Sequence, residues 1–126
     1  MTAVKKPTPG QPVTLELVIE SKIGEILRAR PGKRYEASGV RLKDGYLYVV
    51  FDDEPNILRL RPDWDTSEEA PTLIETHVRT AGYEDITYQP FEKRWHCLIE
   101  ASETRTGGFK PRIDEFDESF RFIDSR

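Results

Sequence analysis

The chain has a single cysteine, Cys97, among 126 residues, so no disulfide can form within it. Small secreted domains usually carry an even set of cysteines, which places this chain with reduced, cytoplasmic proteins. Long hydrophobic runs are missing too: no stretch approaches the roughly 18 apolar residues of a membrane span, so no membrane partner is expected. Lys5 and Lys6 are followed by Pro7, Pro9, Gly10 and Pro12 rather than by an apolar run. That start reads as a flexible tail over residues 1–12, neither signal peptide nor anchor. Basic charge is not in excess, since 19 Lys and Arg stand against 23 Asp and Glu, a net charge of −4. A protein that binds nucleic acid through the phosphate backbone needs a basic stripe, and no nucleic-acid partner is expected. Helical periodicity is absent as well. The segment from Glu16 to Leu27 comes nearest, and its apolar residues fit a strand with a short connection equally well. Phosphate loops, nucleophile elbows and dinucleotide fingerprints do not occur.

What is present is repetition, the first property to seek in a chain of this kind. Val18-Ile19-Glu20-Ser21, Leu73-Ile74-Glu75-Thr76 and Phe122-Ile123-Asp124-Ser125 each place two apolar residues before an acid and a hydroxyl. Between them a second series recurs. Tyr35-Glu36 leads through Val40 and Leu42 to Asp44-Gly45, the apolar run 46–51, the acids Asp52 and Asp53, and Ile57 to Leu60. Tyr83-Glu84 leads through Ile86 and Tyr88 to a turn at 91–94, the run 95–99, Glu100, a Thr- and Gly-rich loop over 104–108, and Ile113 to Phe116.

Each piece reads as a strand. Val40 and Leu42 alternate with polar neighbours, as do Ile86 and Tyr88, so each pair marks one apolar face. The run 46–51 is continuous, as expected where both faces are covered. Asp44-Gly45 predicts a tight hairpin, because Gly accepts the positive φ that such a turn requires. The fold class expected is all-β: two propeller-type four-stranded blades plus one extra strand, with a small β-sandwich as the alternative. A single β-repeat domain over 13–126 follows, with repeat one at about 15–70, repeat two at about 71–118 and the start of a third at 119–126.

The phrase Glu36-Ala37-Ser38-Gly39-Val40, with Gly45 to Val50 and Asp52-Asp53 after it, resembles blades of six-bladed propellers. The families it is similar to are the esterase-like phytase and SdiA-regulated propellers, in which Glu-x-Ser-Gly-Leu opens the innermost strand and an acidic pair ends the hairpin. The likeness covers about 20 residues of the first copy. In the second copy Glu84-Asp85-Ile86 lacks the Ser-Gly, and Glu100-Ala101 replaces the acidic pair. A closed propeller needs about four blades or more. The expected partners are therefore its own copies or the remainder of a longer propeller, unless the chain folds as a small two-sheet protein.

In a propeller, Glu36 and Glu84 begin inner strands, and Asp52, Asp53 and Glu100 end the strands that return to the same mouth. These five acids are the candidate ligands, and Ca²⁺ is the cation that such oxygen donors suit. The resemblance implies phosphoester chemistry; the spacing does not. Solvated acids that end strands are the plainer reading of the same residues. His96 and Cys97 are adjacent on one strand and point to opposite faces, so they can form neither a zinc clamp nor a nucleophile pair. Trp64 is expected to tack a loop onto a sheet. The acids Asp114, Glu115, Asp117 and Glu118 read as a solvated strand end, and Arg28, Arg30, Lys33 and Arg34 as a solvated basic loop. Two functional classes follow. The first is a binding or scaffold module; the second is a metal-dependent phosphoester hydrolase. Two blades supply few catalytic groups, which favours the first.

Overall fold

A computed structural model describes residues 8–30, 32–80 and 82–126; most of the expected tail, residues 1–7, lies outside them. Eight strands follow one short helix: α1 (Ile23–Ile26), β1 (Ala37–Lys43), β2 (Tyr46–Phe51), β3 (Ile57–Leu60), β4 (Thr72–Ile74), β5 (Asp85–Gln89), β6 (Arg94–Glu103), β7 (Phe109–Phe116) and β8 (Phe122–Ser125). They form two antiparallel sheets, ordered β1-β2-β3-β4 and β5-β6-β7-β8. The all-β, two-sheet expectation holds. Among the described residues no helix is long and apolar enough to cross a membrane.

Turn chemistry sets the first register. Asp44 and Gly45 both have positive φ, 51° and 80°, and the pair Lys43↔Tyr46 closes the two-residue loop. Cross-strand partners share a face. Val40 therefore sides with Val49 and Leu58, and Leu42 with Leu47 and Leu60. On that face Val49, Phe51, Leu58 and Leu60 form one buried cluster, covered by Ile23, Ile26, Leu27, Tyr35 and Trp64. Trp64 thus holds its loop against the sheet, as expected. The opposite face carries Tyr48, Val50, Ile57 and Ile74. It meets Ile86, Trp95, Cys97 and Ile99 of the second sheet, with Tyr83, Phe116 and Phe120, in the main core. Each of the large side chains fully buried there contributes about 1.5–3 kcal/mol.

Two expectations are corrected. The strand expected at Val18 to Ser21, first of repeat one, does not form: residues 12–22 take no regular structure, and the extra strand expected at 119–126 instead completes the second sheet as β8. The repeat boundaries also shift. The Leu73 and Phe122 motifs close their sheets as β4 and β8, pairing with β3 and β7, rather than opening the next unit. Each unit runs from a first strand, β1 or β5, to one of these closing strands.

Candidate functional site

Of the five candidate acids, Glu36, Asp52, Asp53 and Glu84 flank strand ends, whereas Glu100, expected to end its strand, lies within β6, which runs on to Glu103 and pairs there with β7. Glu36 precedes β1 and Asp52 follows β2, and the ladder continues between them through the Asp52 N–H donating to the Glu36 carbonyl at 3.0 Å. The Glu36 N–H in turn donates to Asp53 Oδ1 at 3.3 Å. The Glu36 carboxyl is held above its ordinary range by a hydrogen bond to the Asp52 side chain, and next by the charges of Asp52 and Asp53. Asp52 also lines a shallow cleft of about 340 Å³ with Glu84, Glu100 and Glu103, which Arg79 and Arg112 enter. All five acids are exposed. Among the described residues no three His, Cys, Asp or Glu side chains converge closely enough to hold a metal ion. The rim is an acidic edge whose cleft Arg79 and Arg112 also line, the Arg112 guanidinium being bound to Asp114.

Beneath the rim lies the seam between the sheets, and here the Ser38-Gly39 pair has a structural role. The Ser38 hydroxyl donates to the Tyr83 carbonyl, tying β1 to the start of the second unit. A Cβ on Gly39 would lie 3.0 Å from Asp85 Cα and 3.1 Å from Val50 Cγ2, so only glycine lets β5 approach this closely. Gly82 is tighter still. A Cβ there would fall on the Phe51 carbonyl oxygen and the Asp52 carbonyl carbon. The Tyr83 N–H donates to that same Phe51 oxygen. The close approach thus carries the backbone bond that aligns the two sheets.

Two acids of the run 114–118 are buried, which corrects the solvated reading for them. Asp114, on β7, faces the core. It accepts hydrogen bonds from Tyr83 Oη at 2.9 Å, from Arg112 Nε and Nη2 at 3.1 and 3.2 Å, and from Ser125 Oγ at 2.7 Å. Burial, and next the bond to Asp114, push the Tyr83 hydroxyl pKa up. Glu115 faces the other way. Arg94 Nη1 lies 3.2 Å from one carboxylate oxygen, His96 Nε2 lies 3.4 Å from the other, and Arg126 binds that second oxygen as well. A buried carboxylate persists only with such partners. Asp117 is half-buried and caps the turn into β8 through the Ser119 and Arg121 N–H groups; Glu118 is exposed and accepts from Tyr88 Oη. The sequence offered one signal: Arg112 stands two residues before Asp114, on the same face of one strand.

His96 and Cys97 do point to opposite faces. Cys97 is buried in the core and its thiol pKa is pushed up, by burial first and then by the charges of Asp114 and Asp85. The basic loop lines a cleft of about 750 Å³ with Lys22 and Tyr35, and Lys33 pairs with Glu54 at 3.5 Å.

The two sheets share one orientation. The hairpin pair Lys43↔Tyr46 corresponds to Gln89↔Arg94, so Leu47, Val49 and Phe51 match Trp95, Cys97 and Ile99. The first three point away from the second sheet, whereas their counterparts point toward the first. The inner face of unit two is therefore the outer face of unit one, and the units stack head to tail. On the far face of unit two, Leu98 and Ile113 occupy the positions of Val50 and Ile57. Val50 and Ile57 are fully buried, but Ile113 is 41% exposed. No known protein family, curated protein or solved structure matches the chain.

Proposed function

We propose that this chain is a propeller-type binding or scaffold module, working through its unmatched sheet faces and strand edges, within a longer propeller or by self-assembly. The observation that supports this reading is the stacking polarity. Two like units related head to tail leave one face of each kind open at the ends, and a head-to-tail relation invites repetition. A two-sheet sandwich has no need of like units stacked in one sense. The resemblance of residues 36–53 to propeller blades agrees with that polarity.

A second reading, a metal-dependent phosphoester hydrolase, draws on one feature: Asp52 lies beside Glu36 and shares its cleft with Glu84 and Glu100. Arg79 lines the same cleft, and its positive charge disfavours a bare cation there.

Phosphate release from model esters, with and without Ca²⁺, separates the readings when Tm is followed in the same solutions. The binding reading predicts no release and a Tm unmoved by Ca²⁺. A ligand bound by the native state raises Tm by linkage, so a Ca²⁺-dependent rise together with turnover would replace it with the hydrolase.

A further inference from the structure

Four strongly exposed apolar residues lie close together in a segment that makes neither helix nor strand. Val13 is 75% exposed, Leu15 99%, Leu17 75% and Val18 87%. Thr14 and Glu16 alternate with Val13, Leu15 and Leu17, the pattern of a strand with one apolar face. The segment ends in Val18-Ile19-Glu20-Ser21, the sequence type that elsewhere in the chain forms β4 and β8. It has the composition of a closing strand, yet β3 and β7 already hold theirs.

A free edge of the right kind exists at β8. Arg126 exchanges both backbone hydrogen bonds with Ile113 on β7, at 2.7 and 2.9 Å. By antiparallel alternation the backbone groups of Ser125 then point away from β7. Among the described residues no strand lies beyond it, and the Ser125 N–H is met by the Asp124 carboxylate at 2.8 Å. Beside the start of β8 lies a groove of about 590 Å³, lined by Val78, Phe120 and Phe122 with His77 and Arg121 at its polar side. Phe122 and Ile123 of β8 remain 49% and 41% exposed. The groove carries Arg121 and Glu75 at its polar side, so its fit to the unpaired segment rests on the apolar alternation of Val13, Leu15 and Leu17 and on the free edge, with Glu16 able to face Arg121.

We infer that residues 13–19 of one copy add as a strand to the β8 edge of a second copy, seating apolar side chains in the groove between Val78 and Phe122. This rests on the binding reading above and names the partner as the chain itself. Added strands of this kind gain affinity from main-chain bonds and selectivity from alternate side chains. The contact joins different surfaces on the two copies, so it closes as a reciprocal pair or a ring.

The test uses two variants and their mixture, with mass measured by light scattering. Leu15→Lys with Leu17→Lys disables the donor; both residues are solvent-exposed, so the monomer fold is kept and Tm should match that of the wild type diluted to monomer. Ile123→Lys blunts the acceptor edge. The wild type is expected to assemble and each variant to be monomeric, while a one-to-one mixture, which restores one intact donor and one intact acceptor, should form a dimer. A wild type monomeric at every concentration, a donor variant that still assembles, or a mixture that stays monomeric would each overturn the inference. The first of these includes capture of the segment by its own chain. None of these outcomes decides the Ca²⁺ and phosphate measurements, so the two proposals fail separately.

Discussion

At the scale of single residues, the seam and the rim make opposite demands. Gly82 sits where a Cβ would meet the backbone of Phe51 and Asp52. Neither atom belongs to a flexible side chain, so Gly82→Ala must push the sheets apart and should cost about 3 kcal/mol in chemical denaturation. On the rim, Glu36 holds its proton more tightly in the folded state than in the unfolded chain. Its favourable contribution is full below the unfolded pKa and fades as pH rises through the raised folded value. Above that, a charged Glu36 faces Asp52 and Asp53. Glu36→Gln should therefore melt higher than the wild type at pH 7, with the advantage shrinking as the pH falls toward the carboxylate range. Cys97 gives a third prediction: it is fully buried and its thiol is held protonated. Disulfide reagents should modify it only at the rate of global opening, and a burst of labelling in native buffer would contradict its placement.

Elements were legible where local chemistry settles them. Asp44-Gly45 fixes the first hairpin, and alternation fixes β1 and β5. The continuous runs give β2 and β6, and Gly107, with φ of 83°, turns β6 into β7. Misreadings arose where tertiary partners decide. Val18 to Ser21 has the sequence of a strand, but a strand needs an edge, and β4 and β8 take the places available for that motif. Asp114 and Glu115 resemble surface acids because their compensation is dispersed over Tyr83, Arg94, His96, Arg112, Ser125 and Arg126. Of the candidate acids, Glu100 is overrun by β6, which continues three residues past it, whereas the places of Glu36, Asp52, Asp53 and Glu84 next to strand ends followed from the strand pattern. The Ser38-Gly39 pair as a seam did not, since it requires knowing that β5 lies against β1. Replacing Ser38 by Ala removes the hydroxyl that bridges those elements and should cost about 1 kcal/mol in urea unfolding, with the strands of each unit retained.

At the scale of the whole molecule, two units stack head to tail and leave a strand-like segment without a sheet. An added strand is held by main-chain hydrogen bonds as well as by area, so a single exchange can hold two copies below the about 1,200–2,000 Å² of a standard interface, and a reciprocal exchange doubles the contact. The proposed binding runs through the edges and ends of this stack. The mass of the unaltered chain, measured by light scattering across a concentration series, tests it most directly. Strand exchange between copies predicts a defined multiple of 14.6 kDa that breaks down toward the monomer on dilution. A monomer at every concentration, with Val13 to Val18 still in solvent, would contradict it.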